Sequence, residues 1–324
     1  MRTHPRLIFS FISAVSALAQ PAMPPSIGAA GYTAPTPFTI APGQILTLFV
    51  PAVGNLLTAP VKAPPGLIPN TLAGVSAVLL QNADQSVPMP IMEVQPISSF
   101  LAVTVQIPFN IQTVCPLCSS PFVLVTQIAV SVNGVTGPFV TSTALADQVH
   151  FLTACDLILP GSASLYSESA LPCAPMVTHP NGDLVSATNP ASSGEELVAY
   201  ATGLGRTNPL LVTGQAPLLG APTVTTFAID FDYRPNALAT KPLAPSLTAI
   251  VPLSQAPIYT GVTPGFVGLY QINFIVPPVP GGLSPCADLG KVGAYGNVVQ
   301  SNLTVSVGSV FSFDGAGICV QPGS

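Results

Sequence analysis

Tryptophan is absent from this chain of 324 residues, and charge is scarce: 7 Lys and Arg stand against 12 Asp and Glu, 6% in all. That is roughly a quarter of the usual share. Cations so few and so scattered build no basic stripe, which excludes recognition of nucleic acid by phosphate neutralisation. The G-x-S-x-G elbow of a serine hydrolase and the H-E-x-x-H pair of a zinc hydrolase are both missing. Beyond the amino terminus no 18-residue apolar stretch runs without a proline or a polar break, so no transmembrane segment is expected in the mature chain. What is plentiful is apolar side chain, at 48% with a mean hydropathy of +0.61, together with 38 prolines and 27 glycines. Disorder requires low hydrophobicity and high charge, the reverse of this balance. So many prolines forbid long uninterrupted helices.

Residues 1–19 have the form of a secretory signal. Arg2, His4 and Arg6 open it, Leu7 to Leu18 form an apolar run shorter than the ~20 residues of a membrane span, and Ala17-Leu18-Ala19 ends it as an A-x-A site. Cleavage is expected between Ala19 and Gln20. Loss of Arg2 and Arg6 leaves five cations against 12 acids, a net charge of −7. Export bears on the six cysteines, Cys115, Cys118, Cys155, Cys173, Cys286 and Cys319. An even count in an oxidising compartment reads as a disulfide framework, although six cysteines allow about 15 pairings. Proximity in the chain favours Cys155–Cys173 and Cys286–Cys319, leaving Cys115–Cys118. The last pair has C-x-x-C spacing, but the second ligand pair of a zinc site and the βαβ context of a redox motif are both missing.

The chain repeats itself. Gly43–Phe49 runs parallel to Gly194–Tyr200 at an offset of 151, which also pairs Gly54 with Gly205. Leu101–Pro108 matches Tyr270–Pro277 at 169, as does Pro88 with Pro257, and Val130–Val132 matches Val305–Val307 at 175. Three apolar blocks in one order, with insertions between them, indicate a duplicated unit of roughly 100–130 residues.

Within each unit the period is two. From Phe266 to Ile275, alternate residues fall on opposite faces, after a Pro264-Gly265 turn. Segments 44–50, 73–80, 99–107, 122–132, 195–201, 224–233, 246–251 and 302–313 are likewise short, β-branched or aromatic, and bounded by Pro, Gly or Asn. The expected fold is all-β: two tandem immunoglobulin-like sandwiches, 38–140 and 191–324. Residues 20–37, with five prolines, form an extended lead-in, and 141–190 a disulfide-stapled connector.

The run from Asn189 through Gly194-Glu195-Glu196-Leu197 to Gly205, Thr207-Asn208-Pro209, Thr263 to Pro277, Gln300 to Val307, and Phe313-Asp314-Gly315-Ala316-Gly317-Ile318-Cys319 resembles the C-terminal domain family of many secreted proteins of Solibacter-type acidobacteria. The likeness covers about residues 175–320. The first half resembles a diverged copy, keeping Ala41-Pro42-Gly43-Gln44 and Leu72-Ala73-Gly74-Val75 but lacking Gly268-Leu269-Tyr270-Gln271-Ile272-Asn273. The resemblance implies an exported immunoglobulin-like module of bacterial origin and supplies no catalytic residues.

Candidates for chemistry are few. His150 ends a strand-like segment, and His179 precedes the Pro180-Asn181-Gly182-Asp183 turn, where a solvated ring is expected. A hydrolase would need His179, Asp183 and a serine within hydrogen-bond distance. Glu195 and Glu196 are adjacent, so on a strand they face opposite ways and make no glycosidase pair. Asp230 and Asp232 share a strand face and form a weak Ca²⁺ candidate, with Arg234 or an edge-strand role as the plainer explanation. Gly203-Leu204-Gly205 begins like a dinucleotide fingerprint but reads as a turn, with Asn208 where the third glycine belongs. Asn302-Leu303-Thr304 is formally a glycosylation sequon, which the bacterial origin implied by the resemblance is expected to leave unused. Tyr200 and Tyr270 alternate into the core, leaving Tyr32, Tyr166, Tyr233, Tyr259 and Tyr295 for sugar contacts. The expectation is a non-enzymatic protein without cofactor, secreted or at the cell surface, with a structural or adhesive role toward an extracellular protein; the alternative is polysaccharide binding, and a secreted hydrolase comes third.

Overall fold

The computed structural model describes residues 27, 29–30, 38–51, 57–82, 85–114, 124–153, 174–234, 253–291 and 297–322. Every regular element among them is a β-strand. Ala19, Gln20, Cys115, Cys118, Cys155, Cys173, Tyr32, Tyr166, Tyr295 and the 246–251 segment lie outside them.

Among the described residues four larger sheets form two pairs over two apolar cores, and Ala287–Lys291 with Asn297–Gln300 make a fifth, two-stranded sheet. In the first half, Ile45–Pro51 and Phe100–Gln106 lie side by side, with Ile91–Ile97 beyond; the facing sheet centres on Thr126–Val132, flanked by Val75–Gln81 and Val140–Ala144. The second half repeats this with Glu196–Thr202, Tyr270–Ile275 and Tyr259–Val262 in one sheet. Its other sheet centres on Leu303–Gly308, flanked by Ala228–Asp232 and Phe313–Ile318. The repeat extends to register. Leu46 lies opposite Val105, and Leu197 opposite Phe274, which are the same two positions shifted by the offsets found in the sequence. Because a one-residue slip would turn every side chain to the wrong face, shared register means the same core positions are used twice.

Alternation drives each strand into place. Val75, Ala77 and Leu79 are buried on one strand, Leu197, Ala199 and Ala201 on another, and Tyr270, Ile272 and Phe274 on a third. The larger of these, such as Leu79, Leu197, Ile272 and Phe274, contribute about 1.5–3 kcal/mol each when fully buried. Phe231 and Phe274 meet across the second core with tilted rings 5.8 Å apart. Cys286 and Cys319 are disulfide-bonded, as expected, over a separation of 33 residues. A loop of that length is worth about 3–4 kcal/mol by chain entropy.

Several expectations are corrected. The 302–313 segment is not one strand but a strand and a turn into the next, closed by the Ser309 N–H donating to the Ser312 carbonyl at 2.8 Å. Gly308 permits the tight reversal, since a Cβ there would lie 2.3 Å from Phe313 Cβ. The strand expected from Phe266 begins at Tyr270, because residues 263–269 close a loop through the Thr263 N–H to Leu269 carbonyl bond. The 224–233 strand shortens to Ala228–Asp232. Tyr200 is only partly buried, on the face opposite Leu197 and Ala199, whereas Tyr270 is fully buried. The strand Val140–Ala144 runs across the expected 140/141 boundary and pairs with the first half, while His150–Phe151 and Val177–Thr178, within 141–190, pair with Glu196–Thr202 of the second.

The halves meet along a seam of specific polar contacts. The Ile45 N–H donates to Thr202 Oγ1 (2.8 Å), the Gly214 N–H to Gln106 Oε1 (2.6 Å), and the Phe109 N–H to Thr213 Oγ1 (3.1 Å). The buried Tyr270 hydroxyl, which donates to the Gly205 carbonyl within its own half, lies 3.4 Å from the Pro42 carbonyl of the first, and Phe109, from the first half of the chain, packs in the second core.

Candidate functional site

His179 is not the solvated ring expected; it is 8% exposed. Its Nδ1–H donates to Glu195 Oε1 at 2.6 Å and its Nε2–H to the Asn189 carbonyl at 3.1 Å, an arrangement complete only when the ring is protonated. The other Glu195 oxygen accepts the Ser192 N–H at 2.8 Å. Burial pulls the His179 pKa down, but the Glu195 hydrogen bond, the Asn189 carbonyl and the charges of Glu195 and Asp183 outweigh it, so the value is raised. Burial pushes Glu195 up, yet the His179 bond, the Ser192 N–H and the His179 charge leave it lowered. Both ring nitrogens are thus occupied in holding the 179–195 loop. Asp183, the expected triad partner, bonds instead to Asn181 Nδ2 at 2.7 Å, and Ser186 and Ser192 bond to Thr188 and Gln321. The pairing with Glu195 had only one trace in the sequence, a histidine before a turn and an acid at the next strand's start.

A second polar cluster was missed altogether. The buried Asp147 carboxylate accepts the Ser309 and Ser312 hydroxyls at 2.6 and 2.7 Å, while Ser312 Oγ accepts the Val149 N–H. Beside it, Asp314 Oδ2 accepts from the Phe151 N–H (2.9 Å) and His150 Nδ1 (3.0 Å). These groups pin the segment entering the second half to the terminal hairpin, more than 160 residues away in sequence.

The remaining candidates resolve into structural roles. Asp230 and Asp232 do share a face, but their strand is paired on both sides, by Leu253–Gln255 and Leu303–Gly308, so it is no edge. Arg234 Nε donates to both Asp232 oxygens at 2.8 and 2.9 Å. Among the described residues no three His, Cys, Asp or Glu side chains gather to hold a metal. Gly203 and Gly205 have φ of +78° and +86°, and added Cβ atoms would lie 1.9 and 2.1 Å from the Gln148 and Ala146 carbonyl oxygens. These glycines admit the chain's own backbone, not a dinucleotide. Asn302 is buried, its amide donating to the Ser284 and Val320 carbonyls at 2.9 Å and its oxygen accepting the Val320 N–H. The Tyr233 hydroxyl donates to the Pro277 carbonyl at 2.8 Å, and burial pushes its pKa up to about 12. Tyr259 is also partly buried, its hydroxyl near the Val262 carbonyl.

With these groups engaged internally, the exposed feature of note is apolar. Leu218 and Leu219 are 94% and 80% exposed at the tip of a loop running from Thr207 to Pro222. The Gly265 N–H donates to the Pro217 carbonyl at 2.8 Å, bringing exposed Phe266 to the same end. The Ile68 N–H donates to the Gly214 carbonyl, adding exposed Leu67. No residue of 63–82, 207–229 or 253–287 is ionisable at physiological pH except the bonded cysteine.

No protein-family profile matches the sequence, and no curated protein is similar to it. Among solved structures, the C-terminal domain of the AgI/II polypeptide BspA of Streptococcus agalactiae is 11% identical, with 90% of this chain and 96% of that one covered at a TM-score of 0.18. A superposition that poor carries no argument about fold or function.

Proposed function

We propose that the chain is an exported, non-enzymatic protein of two tandem immunoglobulin-like sandwiches that acts structurally or adhesively at or outside the cell envelope. The observation that carries this reading is the internal engagement of the ionisable groups: His179, His150, Asp147 and Asp314 each hold one segment of the chain against another. Groups spent on positioning loops favour a scaffold whose loops meet partners. The repeated register and the Cys286–Cys319 bridge fit a duplicated module that works in an oxidising compartment. The test is binding of purified protein to washed envelopes of the producing cell beside a panel of cell-wall and soil polysaccharides. Saturable binding to envelopes alone is the expected outcome. Saturable binding to one polysaccharide replaces the adhesive reading with a glycan module, and turnover of any polymer in the panel refutes the non-enzymatic one.

A further inference from the structure

We propose that the apolar loop end formed by Leu67, Leu218, Leu219 and Phe266 docks onto a lipid surface, its leucines entering the interfacial layer. This goes beyond the adhesive reading and does not depend on it. Three observations choose lipid over a folded partner.

First, the tip is convex. A leucine that is 94% exposed, beside one at 80%, stands clear of its own protein. A rigid partner would have to supply a cavity shaped to it, whereas a fluid bilayer accepts a protruding side chain of any shape. Second, the loops that carry the four side chains contain no charged residue across 63–82, 207–229 and 253–285, so insertion desolvates no ion. Third, several backbone groups that flank the tip are bonded internally. The Pro217 carbonyl takes the Gly265 N–H, the Ala221 carbonyl the Val262 N–H at 3.0 Å, and the Gly214 carbonyl the Ile68 N–H at 2.8 Å. Pro217 and Pro222, which bracket the leucines, have no N–H to leave unpaired. Unpaired backbone is the main cost of placing a loop in an apolar layer, and at these flanking groups it is removed in advance. The tip is also held in shape before binding by the seam, since the Gly214 N–H is tied to Gln106.

The absence of tryptophan makes a direct test available. In the full chain, Phe266→Trp creates a single tryptophan at the tip. Its emission is expected to shift to the blue on addition of phosphatidylcholine vesicles and to be quenched by lipids brominated along the acyl chain. The double substitution Leu218→Ser, Leu219→Ser in that background is expected to weaken vesicle partitioning at least about tenfold, as two leucines lose part of their transfer free energy. Both proteins carry the same amino-terminal run, so only their difference is read. Leu218→Trp provides the same readout if the Phe266 variant does not fold. Emission unmoved by vesicles in both tryptophan variants overturns the proposal. So does equal partitioning of the serine variant, or a concentration-dependent dimer, seen by sedimentation, that the serine substitutions abolish while vesicle binding is nil; the last assigns the tip to a second copy.

Discussion

Replacing His179 by Gln tests whether the 179–195 loop is fastened by a charged pair. In the native protein the imidazolium donates to Glu195 at 2.6 Å and to the Asn189 carbonyl at 3.1 Å, largely out of water. Hydrogen bonds to charged groups contribute about 1.5–3 kcal/mol each, so near pH 5.5 the variant is expected to lose about 2–4 kcal/mol, allowing for what glutamine recovers. The pH dependence is the sharper part. His179 has a raised pKa, so its contribution is fully present below the unfolded value near 6.5 and is lost as pH rises through the folded value. Glu195 has a lowered pKa, so its contribution is present above the unfolded value near 4.5 and is lost as pH falls through the folded one. The clasp is strongest between those two unfolded values. Once pH passes the raised folded value, the neutral ring turns a lone pair toward one of its two acceptors, and at least one bond fails. The assay is urea unfolding of wild type and variant across a pH series, reading the difference in stability. Subtraction removes the contribution of the second histidine pair, His150 with Asp314, which is the same in both proteins. A difference that stays constant from the acid to the alkaline end would refute the charged clasp and leave His179 as packing alone.

Other perturbations bear on the buried backbone around Gly205. Tyr270→Phe removes the donor to the buried Gly205 carbonyl and is expected to cost about 1–3 kcal/mol in chemical unfolding. Because burial raises the Tyr270 hydroxyl pKa far above its ordinary value, that tyrosine should ionise only as the protein unfolds, visible as a late step in an alkaline absorbance titration. Gly205→Ala, with φ of +86° and the Ala146 carbonyl in the way, should cost about 3 kcal/mol, against about 1 for Gly134→Ala, which has φ of +80° and open space. Equal losses at the two glycines, measured by thermal unfolding, would show that backbone angle alone matters.

Much of the architecture was legible in the amino-acid order, because strand alternation is local. A β-strand buries every second residue, so Val75, Ala77 and Leu79, or Tyr270, Ile272 and Phe274, announce a face without any knowledge of what covers it. The offsets of 151 and 169 even foretold register, since two strands copied together keep their pairing. Strand limits were less legible. Phe266 continues the alternation of its neighbours yet sits on a turn, and residues 302–313 read as one strand because a reversal at Gly308 leaves the apolar pattern intact. Tertiary structure alone decided the polar side chains. His179 became a buried clasp because the loop folds Glu195 back to it, Asp147 found serines 162 and 165 residues away, and Gly205 was required by a carbonyl of the incoming segment. A polar side chain's role depends on which distant partner arrives within about 3 Å, and no local pattern encodes that distance. Composition and periodicity therefore determined an all-β protein with a repeated core, while the packing of one half against the other decided which groups remain exposed at its surface.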